Sequence, residues 1–143
     1  MIREEDEGTW ASFIRRELTS RKYIFSEPHE RVIVLPFKGD EITYDLNVLV
    51  GAEEVNEDGF VVFVIVFPFI FSQEKHARVL SAMNEWNIAL PQGAYELKLP
   101  QNVVRFKYGR RLKPGLHFDE VMEDLTAIVD LSQHHVSDLI ALL

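Results

Sequence analysis

With 143 residues the chain has the size of one domain and can bury about two thirds of the surface its unfolded form exposes. Its apolar share of 47% is the globular average, so neither a disordered nor a membrane protein is the default, and 15 basic against 23 acidic residues leave a net charge of −8 that opposes general binding to nucleic acid or anionic lipid. The absence of cysteine excludes disulfides, thiol nucleophiles and thiolate zinc sites.

The opening MIREEDEGTW is acidic where a secretory signal is basic and then apolar. A cytoplasmic protein is therefore expected, a single domain over residues 1–143 with residues 1–8 as a flexible acidic tail. Thr9 to Leu18 places Trp10, Phe13, Ile14 and Leu18 at spacings of three and four, the stripe of an amphipathic helix. Extended segments are expected around Tyr23 to Phe25, at Val32 to Phe37 and at Ile42 to Val50. The last alternates Ile42, Tyr44, Leu46, Val48 and Val50 with Thr43, Asp45 and Asn47, the pattern of a half-buried strand. Asn56 to Gly59, NEDG, supplies a turn.

The segment GFVVFVIVFPFIFS, Gly59 to Ser72, is the least polar in the chain. Its apolar run of 12 residues, with Pro68 inside, is too short for a spanning helix, which needs about 20. Val61, Val62, Val64, Ile65 and Val66 with Phe60, Phe63 and Phe67 are the β-branched and aromatic types that suit a pleated sheet, and Pro68 is expected to end the strand because it lacks an N–H. Both parities are apolar. If all helices pack on one side, only one set is covered by the chain itself. The bulkier set with Phe63, Ile65 and Phe67 is expected in the core, and Phe60, Val62, Val64 and Val66 in an interface with a partner or a second copy.

Ser72 is expected to cap a helix running to about Ile88, with Leu80, Met83 and Trp86 or Asn87 on its inner side. Ala94 to Leu99 and Val103 to Tyr108 form a hairpin around PQN, and KPG at Lys113 to Gly115 precedes a long amphipathic helix from Phe118 to Leu143, with room for a bend in its middle. Asp119, Glu120, Glu123 and Asp124 crowd its first turns, where negative charge complements the helix dipole. The expected fold is α+β, an antiparallel sheet of five or six strands with three helices, in the order α-β-β-β(-β)-α-β-β-α.

A search for chemistry finds little. No two histidines stand at i and i+4, His134 and His135 diverge on a helix, and no phosphate loop or nucleophile elbow is present. No metal and no cofactor are expected. The acidic cluster reads as a solvated helix start, because general acid–base work needs a pocket that tunes the carboxyl groups. Asn84 and Asn87 are expected to bond loop backbone and fix how the middle helix meets the next strand. Lys98, Arg105, Lys107, Arg110, Arg111 and Lys113 follow one another without an acid, whereas Asp119 to Leu143 holds six acids and no Lys or Arg. Alternation sends Val104, Phe106 and Tyr108 to one face and Arg105 and Lys107 to the other, which favours a charge-guarded strand or pairing with the acidic helix over a nucleic-acid platform.

The order of elements, the helix VLSAMNEWNIAL, the following GAYELKLPQNVVRFKYGRRL and the closing GLHFDEVMEDLTAIVDLSQHHVSDLIALL resemble the YbjN-like family of bacterial proteins over roughly Leu46 to Leu143. That family is labelled a sensory transduction regulator, and its fold is like that of type III secretion chaperones. The resemblance implies a non-enzymatic, homodimeric, protein-binding or chaperone-like module with an unidentified protein partner; the charge and the short apolar run separately lead to the expectation of no nucleic acid and no membrane. The alternative is a regulatory or sensory domain that responds to a small ligand or partner.

Overall fold

The computed structural model describes residues 10–29, 32–38, 45–55, 58–113 and 115–143. The acidic tail of residues 1–8, the start of the Ile42 to Val50 strand, half of the NEDG turn and Pro114 lie outside the described residues. In chain order the elements are α1 (Trp10–Ser20), β1 (Ser26–His29), β2 (Val32–Lys38), β3 (Asp45–Val55), β4 (Asp58–Ile70), a 3-10 turn (Gln73–Lys75), α2 (His76–Ala89), β5 (Ala94–Lys98), β6 (Val103–Leu112), α3 (Phe118–Ser132) and α4 (Val136–Ala141). The fold is α+β. Its strands are all antiparallel and lie in the order β1-β2-β3-β4-β6-β5.

The two-sided apolar strand, β4, sits inside this sheet between β3 and β6. Val61, Phe63, Ile65 and Phe67 are fully buried. They share one core with Ile33 and Leu35 of β2, Val104 and Phe106 of β6, Ile14 and Leu18 of α1, Val79 and Met83 of α2, Leu125 and Ile128 of α3, and Val136 and Leu139 of α4. Each fully buried side chain of this kind stabilises the fold by about 1.5–3 kcal/mol. Aromatic geometry orders the layer: Phe63 stacks on Tyr108 at 6.4 Å, and Tyr95 meets Phe106 edge-on at 4.9 Å.

Several expectations are corrected. The first short strand is Ser26–His29 rather than Tyr23 to Phe25. β4 does not stop at Pro68 but runs to Ile70, because the ladder with β6 slips there: from Val66 to Ile70 the strand advances four residues while its partner moves only from Arg105 to Val103. Pro68 falls in that bulge, where no ladder bond is asked of its missing N–H. Ser72 makes no side-chain cap, and only its carbonyl accepts, from Lys75 N–H at 2.9 Å. Leu80 faces solvent at 52% exposure, and Val79 takes its place in the core.

The long helix expected after Phe118, with room for a bend in its middle, is broken there into two, parted at Gln133 to His135. Its cause is local competition for one carbonyl. In an unbroken helix the Ser132 carbonyl would accept from Val136 N–H. Instead the buried Tyr95 hydroxyl donates to it at 2.6 Å, and Val136 N–H turns to the Gln133 carbonyl at 3.3 Å.

The middle helix is fixed to the edge strand by one amide. Asn87 Nδ2 donates to the Tyr95 carbonyl at 3.0 Å, and Tyr95 N–H donates to Asn87 Oδ1 at 2.7 Å. A single side chain thus fills the hydrogen-bonding place of a neighbouring strand, closing the β5 edge at that residue. At the opposite edge β1 carries Pro28, which has no N–H to offer. Asn84, grouped with Asn87 on sequence grounds, lies on the exposed side of α2. Asn87→Ala should therefore cost about 1–3 kcal/mol, the penalty for unpaired half-buried groups, and Asn84→Ala less than about 0.5 kcal/mol. Urea unfolding of both variants checks this, and equal losses would overturn the assignment.

Candidate interaction surface

Helices occupy one face of the sheet, and the strand register shows what remains on the other. Across β4 the row of Val62 joins Val32 and Gly51 on one side and Gly109 on the other. The row of Val64 joins Val34, Leu49, Lys107 and Ala94. The row of Val66 joins Pro36, Asn47, Arg105 and Glu96, and Phe60 pairs with Arg111. Among these, Val32, Val34, Val62, Val64 and Val66 are half-buried, Pro36, Lys107 and Gly109 are exposed, and Phe60 is 42% exposed. The residues expected at an interface therefore form one column on the helix-free face, while Val61, Phe63, Ile65 and Phe67 fill the core.

Charge borders this apolar column on the β6 side. Arg105 pairs with Glu96 of the edge strand, and Lys107 stands beside Val64. The inward residues of the same strand have another task. Arg110 Nη1 donates to Asp124 Oδ2 at 2.7 Å and its other amino group reaches Glu120 at 3.8 Å, clamping β6 to the acidic start of α3. Arg21, at the end of α1, likewise pairs with Asp119 at 2.6 Å over the Phe118 ring. The basic run is thus split between two faces, and Phe106 is buried inward, so it offers no stacking platform to a nucleic acid.

Among the described residues no group of three His, Asp or Glu side chains could hold a metal ion, and no helix is long and apolar enough to cross a membrane. An open depression of about 570 Å³ on α3 is lined by Asp119, Met122, Glu123, Thr126, Ala127 and Asp130. It is shallow and open to solvent.

One polar and aromatic cluster escaped the sequence reading. His135 stacks on Trp86 at 4.5 Å, Trp86 meets Tyr95 edge-on at 5.4 Å, and Tyr95 bonds Ser132, tying α2, β5 and the α3–α4 joint together. The available signal was Tyr95 itself: a tyrosine at an inward strand position must find a partner for its hydroxyl.

Fold and register together define an α+β protein with helices on one face of its sheet and, on the other, a column of half-buried valines beside the exposed Phe60. A family model matches residues 14–140, and the chain belongs to that family, YbjN, described as "Putative bacterial sensory transduction regulator". That description is of a regulator and names no reaction. In three dimensions the chain is similar to YbjN from E. coli, described as "a putative transcription regulator", with a TM-score of 0.56, 12% identity and 90% of each chain covered. At that identity the likeness shows a shared fold. No curated protein matches the chain in sequence.

The clamp on α3 carries a pH signature. Burial first, and then the negative charge of Asp124, raise the Tyr108 phenol above its ordinary pKa of 10.0. The folded state therefore holds this proton more tightly than the unfolded one. Its contribution to stability is complete below about pH 10 and is lost as pH rises through the raised value. Tyr108→Phe should accordingly lose less stability than the parent protein between about pH 9 and about pH 11. Urea unfolding across that range measures the difference, and parallel curves would contradict it.

Proposed function

We propose that this YbjN-family chain is a single-domain, non-enzymatic, homodimeric protein-binding module of secretion-chaperone-like shape. Its helix-free sheet face, centred on Phe60, Val62, Val64 and Val66, is the contact surface. One observation carries the reading: β4 is apolar on both faces, its inner set is fully buried, and its outer set keeps solvent exposure among Val32, Val34 and Pro36. A strand with one face turned to water alternates apolar with polar residues; β4 does not, although Asn47, Arg105 and Lys107 of the strands beside it share its outer face.

Size and edges support the same reading. Six strands about 4.8 Å apart and some 23 Å tall offer on the order of 600 Å² per copy, near the roughly 800 Å² that each side of a standard interface buries. Asn87 occupies the β5 edge at Tyr95 and Pro28 interrupts the β1 edge, which disfavours joining copies by strand addition. The charged border of Arg105, Glu96 and Lys107 around an apolar centre follows the usual anatomy of protein contacts. A cytoplasmic setting agrees with the absence of cysteine.

A second reading is favoured by the family description: a regulatory domain in which a partner or small ligand shifts a conformational equilibrium. It uses the same face when the ligand is a protein and requires a pocket when it is a small molecule.

Val64→Asp should yield a folded monomer, since the new carboxylate lies on the outer face, and Ile65→Asp should abolish folding by burying an unpaired charge. Light scattering with circular dichroism reads both outcomes. A parent protein that stays monomeric across a wide concentration range would overturn the dimer, and an unfolded Val64→Asp would place that residue in the core.

A further inference from the structure

We infer that Gly109 is the floor of a socket on this face that receives the Phe60 ring of a second copy. The inference rests on the dimer reading above and deepens it. Gly109 lies in the interior of β6, beside Val62 and between Lys107 and Arg111, and is exposed. Glycine in a strand interior weakens the strand and marks places where another backbone or ligand comes close.

Among the described residues, nothing in the chain's own packing asks for glycine there. A Cβ built on Gly109 meets one atom within 4 Å, the Val61 carbonyl oxygen at 4.0 Å, an ordinary contact. Its φ is not in the left-handed region. Gly93 makes the contrast plain: its φ is +74°, and a Cβ would stand 2.5 Å from the Phe106 ring, so the fold itself requires that glycine. The ring of Phe60, a diagonal neighbour on the same face, does not come within 4 Å of the Gly109 position, so the chain does not fill its own socket.

The occupant follows from symmetry. A two-fold contact uses the same patch twice, and a patch serves it when it carries both a knob and a hole. This face carries both, Phe60 as a 42% exposed ring and Gly109 as a bare stretch of backbone. An aromatic ring laid over a strand glycine is a favourable pairing in sheets, and the flanking Lys107 and Arg111 side chains wall the site along β6 with aliphatic stems. The second copy is thus matched by shape, not only by apolar area.

Gly109→Val separates this role from a structural one. Valine suits a strand better than glycine and has room, so the variant should melt at the same or a higher temperature than the parent protein. Filling the socket should nevertheless weaken the dimer by roughly tenfold to a hundredfold, the effect of overpacking a contact. Phe60→Ala should weaken it as well, and adding Gly109→Val to Phe60→Ala should change little, because the ring that needed the socket is gone. Sedimentation of all four proteins over a dilution series gives the comparison. A dimeric parent whose Gly109→Val variant dimerises as tightly, or whose two substitutions act additively, would overturn the socket while leaving the dimer standing. A melting temperature that falls sharply in Gly109→Val would assign the glycine to the fold. A monomeric parent would overturn both readings.

Discussion

Everything in this molecule depends on a strand that is apolar on both of its faces. β4 needs two covers. The polypeptide supplies one, because α1, α2, α3 and α4 all contribute to a single core against Val61, Phe63, Ile65 and Phe67. The other set, Phe60, Val62, Val64 and Val66, is left with β3 and β6 as neighbours in the sheet and, among the described residues, no helix above it. Placing such a strand inside the sheet, not at an edge, satisfies its backbone on both sides over most of its length. What stays unsatisfied is only hydrophobic, and that is the kind of deficit another molecule can make good.

Polar residues keep the helices on their one side. Arg15, nearly buried on α1, pairs with Glu27 of the edge strand β1 at 3.2 Å. Arg110 holds α3, Asn87 holds α2, and the Tyr95 hydroxyl holds the α3–α4 joint. Each of these is a directional bond at the rim of an otherwise non-directional core. Apolar burial alone would let a helix slide or roll at small cost; a bond that is costly to leave unmade does not. The same contacts account for irregularities that a helix or strand pattern does not contain, such as the break at Gln133 to His135.

The sequence disclosed most where apolar residues dominate. The β-branched and aromatic composition of Phe60 to Phe67 announced the strand, its lack of alternation announced two apolar faces, and the assignment of Phe63, Ile65 and Phe67 to the inner face followed from bulk. It disclosed least where a side chain competes with the backbone. Pro68 looked like a stop, since its missing N–H is visible and the bulge that forgives it is not. Ser72 looked like a cap, but a 3-10 turn beginning there is closed by its carbonyl. Asn84 and Asn87 looked alike, and only the position of Tyr95 tells them apart. The YbjN resemblance was legible in the closing helix and the hairpin before it, whereas the surface that the family fold leaves open required the register across β2, β4 and β6.

An acidic chain that associates with itself must overcome its own charge. At a net −8, two copies repel at long range. On the helix-free face β6 places Arg105, paired there with Glu96, together with Lys107 and Arg111, and Glu53 of β3 stands beside Phe60, while Asp119, Asp124 and Glu120 are turned to the helix side and engaged with Arg21 and Arg110. The segregation of bases and acids along the sequence is therefore converted by strand alternation into a difference between faces. One face binds its acids into a clamp, and the other presents apolar side chains beside a charged border. Such a border contributes more to orientation and partner choice than to affinity, so affinity must come from the shape of the centre. At that centre the register puts Val62 beside Gly109, where a ring from outside can come nearer to the sheet than at any residue bearing a side chain.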